Sequence, residues 1–470
     1  MNAVKEHQET YFKNFAEFER RRAAKEPAWL QAIRKTAFHQ FADLGFPTTH
    51  HEEWKYTSVA PLARIQFRPA SDYLAPKEAR HSSELLQSNP ADSIALCFYA
   101  GQFVEELTPT NSLPAGVKVT SLAKAIATGS PLLEKHFARY AEFGRQPFVA
   151  LNTAFAEDGA LIEISPDVVL TQPIYLRFVA GPGHEPLIYH PRNLVVLGRG
   201  SQATVVEQYL SARQDHQQLY FTNAVTEVVL GENARIEHIK EQFESHQAFH
   251  VATLHIHQER SSSASTTSIA FGSALAREDV IAVLDGLGAE CTLNGLYVTT
   301  GSQHVDNHTT IDHAQPHCSS RELYKGILDG KSTGVFNGKI VVRKDAQKTD
   351  SKQSNKNLLL AEDCVINTKP QLEIFADDVK CTHGATIGQI DAESIFYLRS
   401  RGIGHEQARA MLTLAFANDV LGKIKSEPLR TRLEQTLSEK LTTKQGRETS
   451  SLRADAEGQQ TRRSTLHEDR

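Results

Sequence analysis

Apolar residues recur at spacings of three and four near the start of the chain. Trp29, Ile33, Ala37, Phe41 and Leu44 fall on one helix face, and Tyr11, Phe15 and Phe18 draw a similar stripe one helix earlier. The spacing predicts helix from about Gln8 to Leu44, closed by Gly45 and Pro47. Between Ile94 and Val119 the texture is mixed, with short apolar runs around Leu96 to Tyr99. We therefore expect an N-terminal helical and mixed domain over residues 1–147.

Beyond Phe148 the pattern changes to short runs of Val, Ile, Thr and Phe separated by Gly, Asn, Asp and Pro, which are strand and turn signals, and it persists to about Ile395. Three stretches share an apolar residue, a glycine, a short link and a small residue before alternation begins: Leu197-Gly198 to Ala203, Leu230-Gly231 to Ala234, and Leu287-Gly288 to Cys291. Degenerate repetition of this kind suits a β-solenoid, whose coils bury their inward faces on one another. A large β-sandwich competes on composition alone. No helical stripe interrupts the run to suggest βαβ units. The solenoid is expected over 148–395.

After Asp391 the helical period returns. Ala408, Met411, Leu412 and Ala415 line one face, and Leu429, Leu433, Leu437 and Leu441 follow at strict i+4 spacing, predicting two helices in a C-terminal domain over 396–441. Ser426 is placed to cap the second, with Pro428 in its first turn. From 442 to 470 apolar residues thin among Thr, Ser, Gln, Glu and Arg, and a disordered tail is expected.

A chain of 470 residues is long enough for about three domains, or for one repetitive body with additions. Its 51 basic and 56 acidic residues give a net charge of -5, so no bulk basic field exists to hold a nucleic-acid backbone. The cysteines, Cys97, Cys291, Cys318, Cys364 and Cys381, are odd in number and never spaced C-x-x-C. That argues against a secreted disulfide framework and against a self-contained zinc or ferredoxin site. With no apolar segment at the N-terminus and no run approaching the roughly 18 apolar residues of a membrane span, a cytoplasmic protein without membrane partners is expected.

Gly326-Ile327-Leu328-Asp329-Gly330-Lys331-Ser332 imitates a phosphate loop but has three residues between its glycines where that motif has four, and strand-like residues follow it. It reads as a turn, and no ATPase activity is expected of the chain itself. Dinucleotide, serine-hydrolase and zinc-protease signatures are missing too. His304, His308, His313 and His317 with Cys318 form a histidine-rich run, but together they fit no single helix or strand face. His255 and His257 share a strand face. Structural roles are the expectation for both groups. Cys381 and His383 are the sharper pair: two apart in an extended stretch, they point to one side and could lend a thiolate and an imidazole to a soft metal centre. Two ligands do not complete such a site, so the remainder has to come from elsewhere.

The run Asn337-Gly338-Lys339-Ile340-Val341-Val342-Arg343-Lys344-Asp345-Ala346-Gln347-Lys348-Thr349-Asp350 resembles the core of the SufB/SufD family of the Suf iron-sulfur cluster assembly system. So do Asn355 to Leu360, Lys369 to Ile374, His304 to His308, Glu322 to Gly326 and Tyr397 to Ile403. Within the family, Glu52-Glu53-Trp54-Lys55-Tyr56-Thr57 and Cys381-Thr382-His383-Gly384 look like the SufD branch, and the N-terminal cysteine motif of the SufB branch is missing. The resemblance implies a right-handed parallel β-helix between helical ends. It also implies a non-catalytic scaffold that pairs with SufB through the β-helix cores and carries the ATPase SufC on its C-terminal helices. Tyr397, Arg399, Arg401, Gly402, Met411 and Leu412 become the candidate docking residues, and His383 with Cys381 the candidate ligands at the SufB interface. A transient iron-sulfur cluster or iron shared with SufB, sulfur arriving indirectly from SufS and SufE, and a part in iron acquisition are further implications. Flavin binding is left open. The alternative, a β-helix carbohydrate-active enzyme, needs paired carboxylates in a groove; Asp377 and Asp378 are adjacent and face opposite sides of a strand.

Overall fold

Pro27 separates the first two helices, α1 (Asn2–Arg22) and α2 (Ala28–Leu44). In this computed structural model, residues 2–70, 92–107, 113–181, 185–212 and 218–441 are described; the tail expected at 442–470 lies outside them. Helix α2 buries more than one stripe. Phe38 and Phe41 pack with Phe15, Phe18 and Phe155, while Leu30, with Trp29 and Ile33, packs against Leu122 and Phe137. Leu44, expected on the buried face, is exposed because the helix ends there at Gly45.

The expected solenoid is present, and its parallel pairing excludes the sandwich. Two long sheets are built from alternate strands, so each coil contributes one strand to each. Coil 1 comprises Arg192–Leu197 and Gln202–Ser211, coil 2 Tyr220–Leu230 and Arg235–Phe243, and coil 3 Phe249–Gln258 and Ser263–Ala270. Coil 4 follows with Leu275–Leu284 and Glu290–Thr299, coil 5 with His304–His313 and Ser319–Leu328, coil 6 with Thr333–Val342 and Asp350–Leu359, and coil 7 with Val365–Ile374 and Lys380–Gly388. About seven turns result. Strands Ala160–Ile164 and Ile174–Ala180 extend the two sheets at the other end.

Register is maintained from coil to coil, so buried side chains stack in columns. Ala203, Ile236, Ala264, Cys291 and Ser320 make one column, and Val205, His238, Thr266, Leu293 and Glu322 the next. The repeat seen in the sequence is real, but its third copy is displaced. Gln202 pairs with Arg235, Arg235 with Ser263, and Ser263 with Glu290; Gly198, Gly231 and Gly286 lie four positions before Gln202, Arg235 and Glu290, so the counterpart of Gly198 and Gly231 is Gly286 and not Gly288. The Gly326–Ser332 stretch is a strand end followed by a turn, with Gly330 at φ 72°.

Helix α3 (Pro147–Phe155) is buried from Phe148 to its end. Asn152 Nδ2 donates to the Pro191 and Asn223 carbonyls at 2.9 and 2.8 Å, tying the helix to the first coils. Beside it, the buried Glu227 carboxylate accepts the amides of Ala138, Tyr140 and Ala141 and pairs with Arg192 at 2.6 Å. A buried pair satisfied by this many donors holds a segment in one place, whatever its net contribution to stability.

The described residues form two compact units, one of those up to 357 with 361–386, the other of 358–360 and 387–441. Among its described residues the second unit holds three helices where two were expected: α4 (Ala392–Ser400), α5 (His405–Leu421) and α6 over 427–441. Gly402 causes the break; its φ of 85° lies in the left-handed region that ends helices. Asp391 caps α4 by accepting from Glu393 N and Ser394 N. The buried row of α5 is Ala408, Thr413, Ala417, Val420 and Leu421, which leaves Met411 45% exposed. In α6, Leu429, Leu433 and Leu437 are buried as the i+4 spacing predicts.

Candidate functional site

Residues 52–57 lie across the outside of the solenoid. The Arg277 guanidinium stands 3.7 Å from the centre of the buried Trp54 ring and bonds the Glu53 carbonyl at 2.6 Å, Asp279 at 2.8 Å and Asp306 at 2.9 Å. Thr57 Oγ1 donates to Asp306 at 2.5 Å and lies 2.9 Å from His304 Nε2. His308 sits between Asp306, at 3.1 Å, and Glu53, at 3.4 Å. Burial alone would discharge this imidazole, but the two carboxylates hold its proton and raise its pKa to about 9. Its hydrogen bond lowers Glu53 to about 2 despite partial burial. Farther along, Lys339 approaches Glu53 and Lys369 pairs with Glu52.

The histidine-rich run therefore disperses. His304 and His308 are engaged by residues 53–57 and Asp306, while His313 bonds Ser320 at 2.9 Å inside the solenoid. His317 occupies a left-handed turn, and the Cys318 thiol donates to the Gly286 carbonyl at 3.3 Å. His255 and His257 flank the Tyr140 ring, with centroids 6.3 and 5.2 Å away, and burial lowers His255 to about 4. Among the described residues, no group of three or more His, Cys, Asp or Glu is placed to hold a metal ion.

Cys381 and His383 lie on the strand Lys380–Gly388, the last of the solenoid, and the strand period puts them on the same side. Cys381 packs against the cluster of Ile340, Val342, Ala346 and Ala376, and partial burial raises its thiol pKa. His383 is exposed. This strand is exposed along nearly its whole length, unlike those of the earlier coils. It can present one imidazole and one thiol to an incoming surface, which is an incomplete ligand set for any metal centre.

In the second unit, Tyr397 is 55% exposed and carries the Arg401 guanidinium 4.6 Å from its ring centre. Phe396, Arg399, Gly402 and Met411 are exposed as well, and Leu412 is half-buried. Sequence reasoning passed over Phe396, although it lies within the helical segment beside Tyr397.

Residues 179–416 match the family model for the SUF system FeS cluster assembly SufBD core domain, and residues 5–176 match that for the SufBD protein N-terminal region. The chain belongs to the SufBD family. An iron-sulfur cluster assembly SufBD family protein of Synechocystis is 35% identical over 86% of this chain and 90% of its own length. Iron-sulfur cluster assembly protein SufD of Escherichia coli is 32% identical over 86% of this chain and 91% of its own, and SufD of Bacillus subtilis 24% identical over 92% and 97%. As a SufBD family member, this chain is a component of iron-sulfur cluster assembly. No helix among the described residues is long and apolar enough to cross a membrane.

Proposed function

We propose that the chain is a non-catalytic scaffold subunit that pairs with SufB through the last coils of its solenoid and lends His383 to a transient iron-sulfur cluster completed by SufB. The observation that carries this reading is the exposed final strand, which offers a thiol and an imidazole on one face and too few donors to hold a metal alone. Neutral imidazole is a good ligand for iron, whereas the Cys381 thiol, packed and raised in pKa, is the weaker candidate. ATP hydrolysis belongs to SufC, docked on α4 and α5 around Tyr397, Arg401 and Met411, and sulfur arrives from SufS and SufE. Iron acquisition for the nascent cluster fits the same exposed face.

Co-expression with SufB and SufC tests the reading. His383→Ala should leave the complex intact by gel filtration and reduce its cluster absorbance several-fold; full cluster content in the intact complex would make this histidine structural. Truncation after Ile395 should abolish recovery of SufC while the solenoid stays folded, and undiminished recovery would place the ATPase elsewhere.

A further inference from the structure

The exposed His383 stands on a buried polar ladder. Each strand in its sheet opens with an amide bonded to the carbonyl one position before the preceding coil's strand: Ser319 N to Ala289 O, Asp350 N to Cys318 O, and Lys380 N to Thr349 O. Because Ser319 pairs with Glu290, the same step pairs Asp350 with Ser319 and Lys380 with Asp350. Counting three residues onward puts Glu322, Gln353 and His383 in one column on successive coils, about 4.8 Å apart. The Ser320 and Ser351 hydroxyls, 2.7 Å from each other, verify the alignment one column over.

Glu322 and Gln353 are 4% and 3% exposed, and Gln353 Nε2 donates to Glu322 Oε2 at 2.8 Å. The remaining amide oxygen, Gln353 Oε1, is buried with no hydrogen-bond partner. An orphaned acceptor carries a desolvation cost that nothing in the packing offsets. Space for this side chain is reserved from the opposite sheet, since a Cβ at Gly338 would lie 2.2 Å from Gln353 Nε2. The column thus holds a fixed donor pointing at Glu322 and leaves an unused acceptor one rung below an imidazole.

We infer that Gln353, anchored by Glu322, is a positioning residue that accepts an N–H from His383 and so fixes which ring nitrogen is left bare for iron. The inference rests on the proposed role of His383. Metal-binding histidines are commonly oriented in this way by a hydrogen bond to the nitrogen that does not bind, and loss of such a partner typically lowers metal affinity or activity by roughly 10- to 100-fold. Gln353→Met keeps the volume and removes the acceptor, whereas Gln353→Glu keeps an acceptor. Two readouts are needed: cluster content of the complex with SufB and SufC, and the His383 tautomer from ¹⁵N-histidine NMR of the chain, assigned with His383→Ala. The wild-type chain should show one dominant His383 tautomer. Gln353→Met should give a mixture and about tenfold less cluster, and Gln353→Glu should retain both properties. If His383→Ala loses the cluster but Gln353→Met keeps wild-type cluster content and tautomer, the ladder has no role and the assignment of His383 survives. Should His383→Ala keep its cluster, the assignment itself fails, and the positioning role of Gln353 fails with it. Were Gln353→Met not to fold, a freely mixed His383 tautomer in the wild-type chain would by itself overturn the inference.

Discussion

His308 and Glu322 are both buried in coil 5, and each holds a proton more tightly than it would in water, for different reasons. Around His308 the carboxylates of Asp306 and Glu53 outweigh burial and lift the imidazole to about 9. Around Glu322 burial is the largest influence and raises the carboxyl to about 7, although Gln353 and Thr309 act against it. A raised folded-state pKa contributes stability that is complete below the unfolded value and disappears as pH climbs through the folded one. For His308 that window runs from about 6.5 to about 9. Its contribution is on the order of 3 kcal/mol. Denaturant unfolding of the wild-type chain should therefore show falling stability across this range. In His308→Gln the same measurements should show lower stability at pH 6.5 and a flatter slope; an unchanged slope would remove His308 from the account.

At the scale of the element, the turn between the strands of each coil is where sequence and structure meet most closely. Gly286 occupies such a turn, and a Cβ there would lie 1.9 Å from the backbone nitrogen of Arg260 in the coil below. Gly286→Ala must push two backbones apart and is expected to cost about 3 kcal/mol, read as a lower Tm by calorimetry. Gly384→Ala, where no atom lies within 4 Å, should change stability by less than about 0.5 kcal/mol. Equal effects from the two substitutions would contradict the close approach at Gly286. The Leu-Gly signal made the repeat legible, since two of its three copies fall on equivalent turns. It misplaced the third because Asp285-Gly286-Leu287-Gly288 contains two glycines and only the coil below distinguishes them. The strand pair Cys381 and His383 was legible from spacing alone, because a period of two needs no tertiary information. What holds residues 52–57 was invisible for the opposite reason. Arg277, Asp306, His308 and Lys369 lie more than 200 positions away, and no local pattern announces a partner at that separation.

Considered as a whole, the solenoid is unevenly finished along its length. Its early coils are buried on both sheets, whereas in coil 7 Val365, Ile374 and Ile387 are 50%, 39% and 50% exposed, and Phe375, just past the first strand, is 63% exposed. Solenoids need polar caps at their ends to stay soluble, and unpaired strand edges with apolar side chains invite pairing. The isolated chain should accordingly self-associate as its concentration rises, as seen by sedimentation velocity. Phe375→Glu with Ile387→Lys should keep it monomeric and, under the proposed pairing, also weaken binding to SufB. Persistent self-association in that double variant would put the adhesive surface elsewhere.

The segment carrying Trp54 touches Arg277 in coil 4, Asp306 and His308 in coil 5, Lys339 in coil 6 and Lys369 in coil 7. This has a consequence in time. The ribosome releases residues 52–57 early, yet Arg277 follows Glu53 by 224 positions, which at 5–20 residues per second is a wait of roughly 10–45 s. Throughout that interval Trp54 has no guanidinium to stack on and Thr57 no carboxylate to bond. Trp54 can pack on Phe148 long before that, but the ion pairs and hydrogen bonds that residues 52–57 make to coils 4 to 7 form only once those coils exist, so folding of the nascent protein closes on a segment made much earlier.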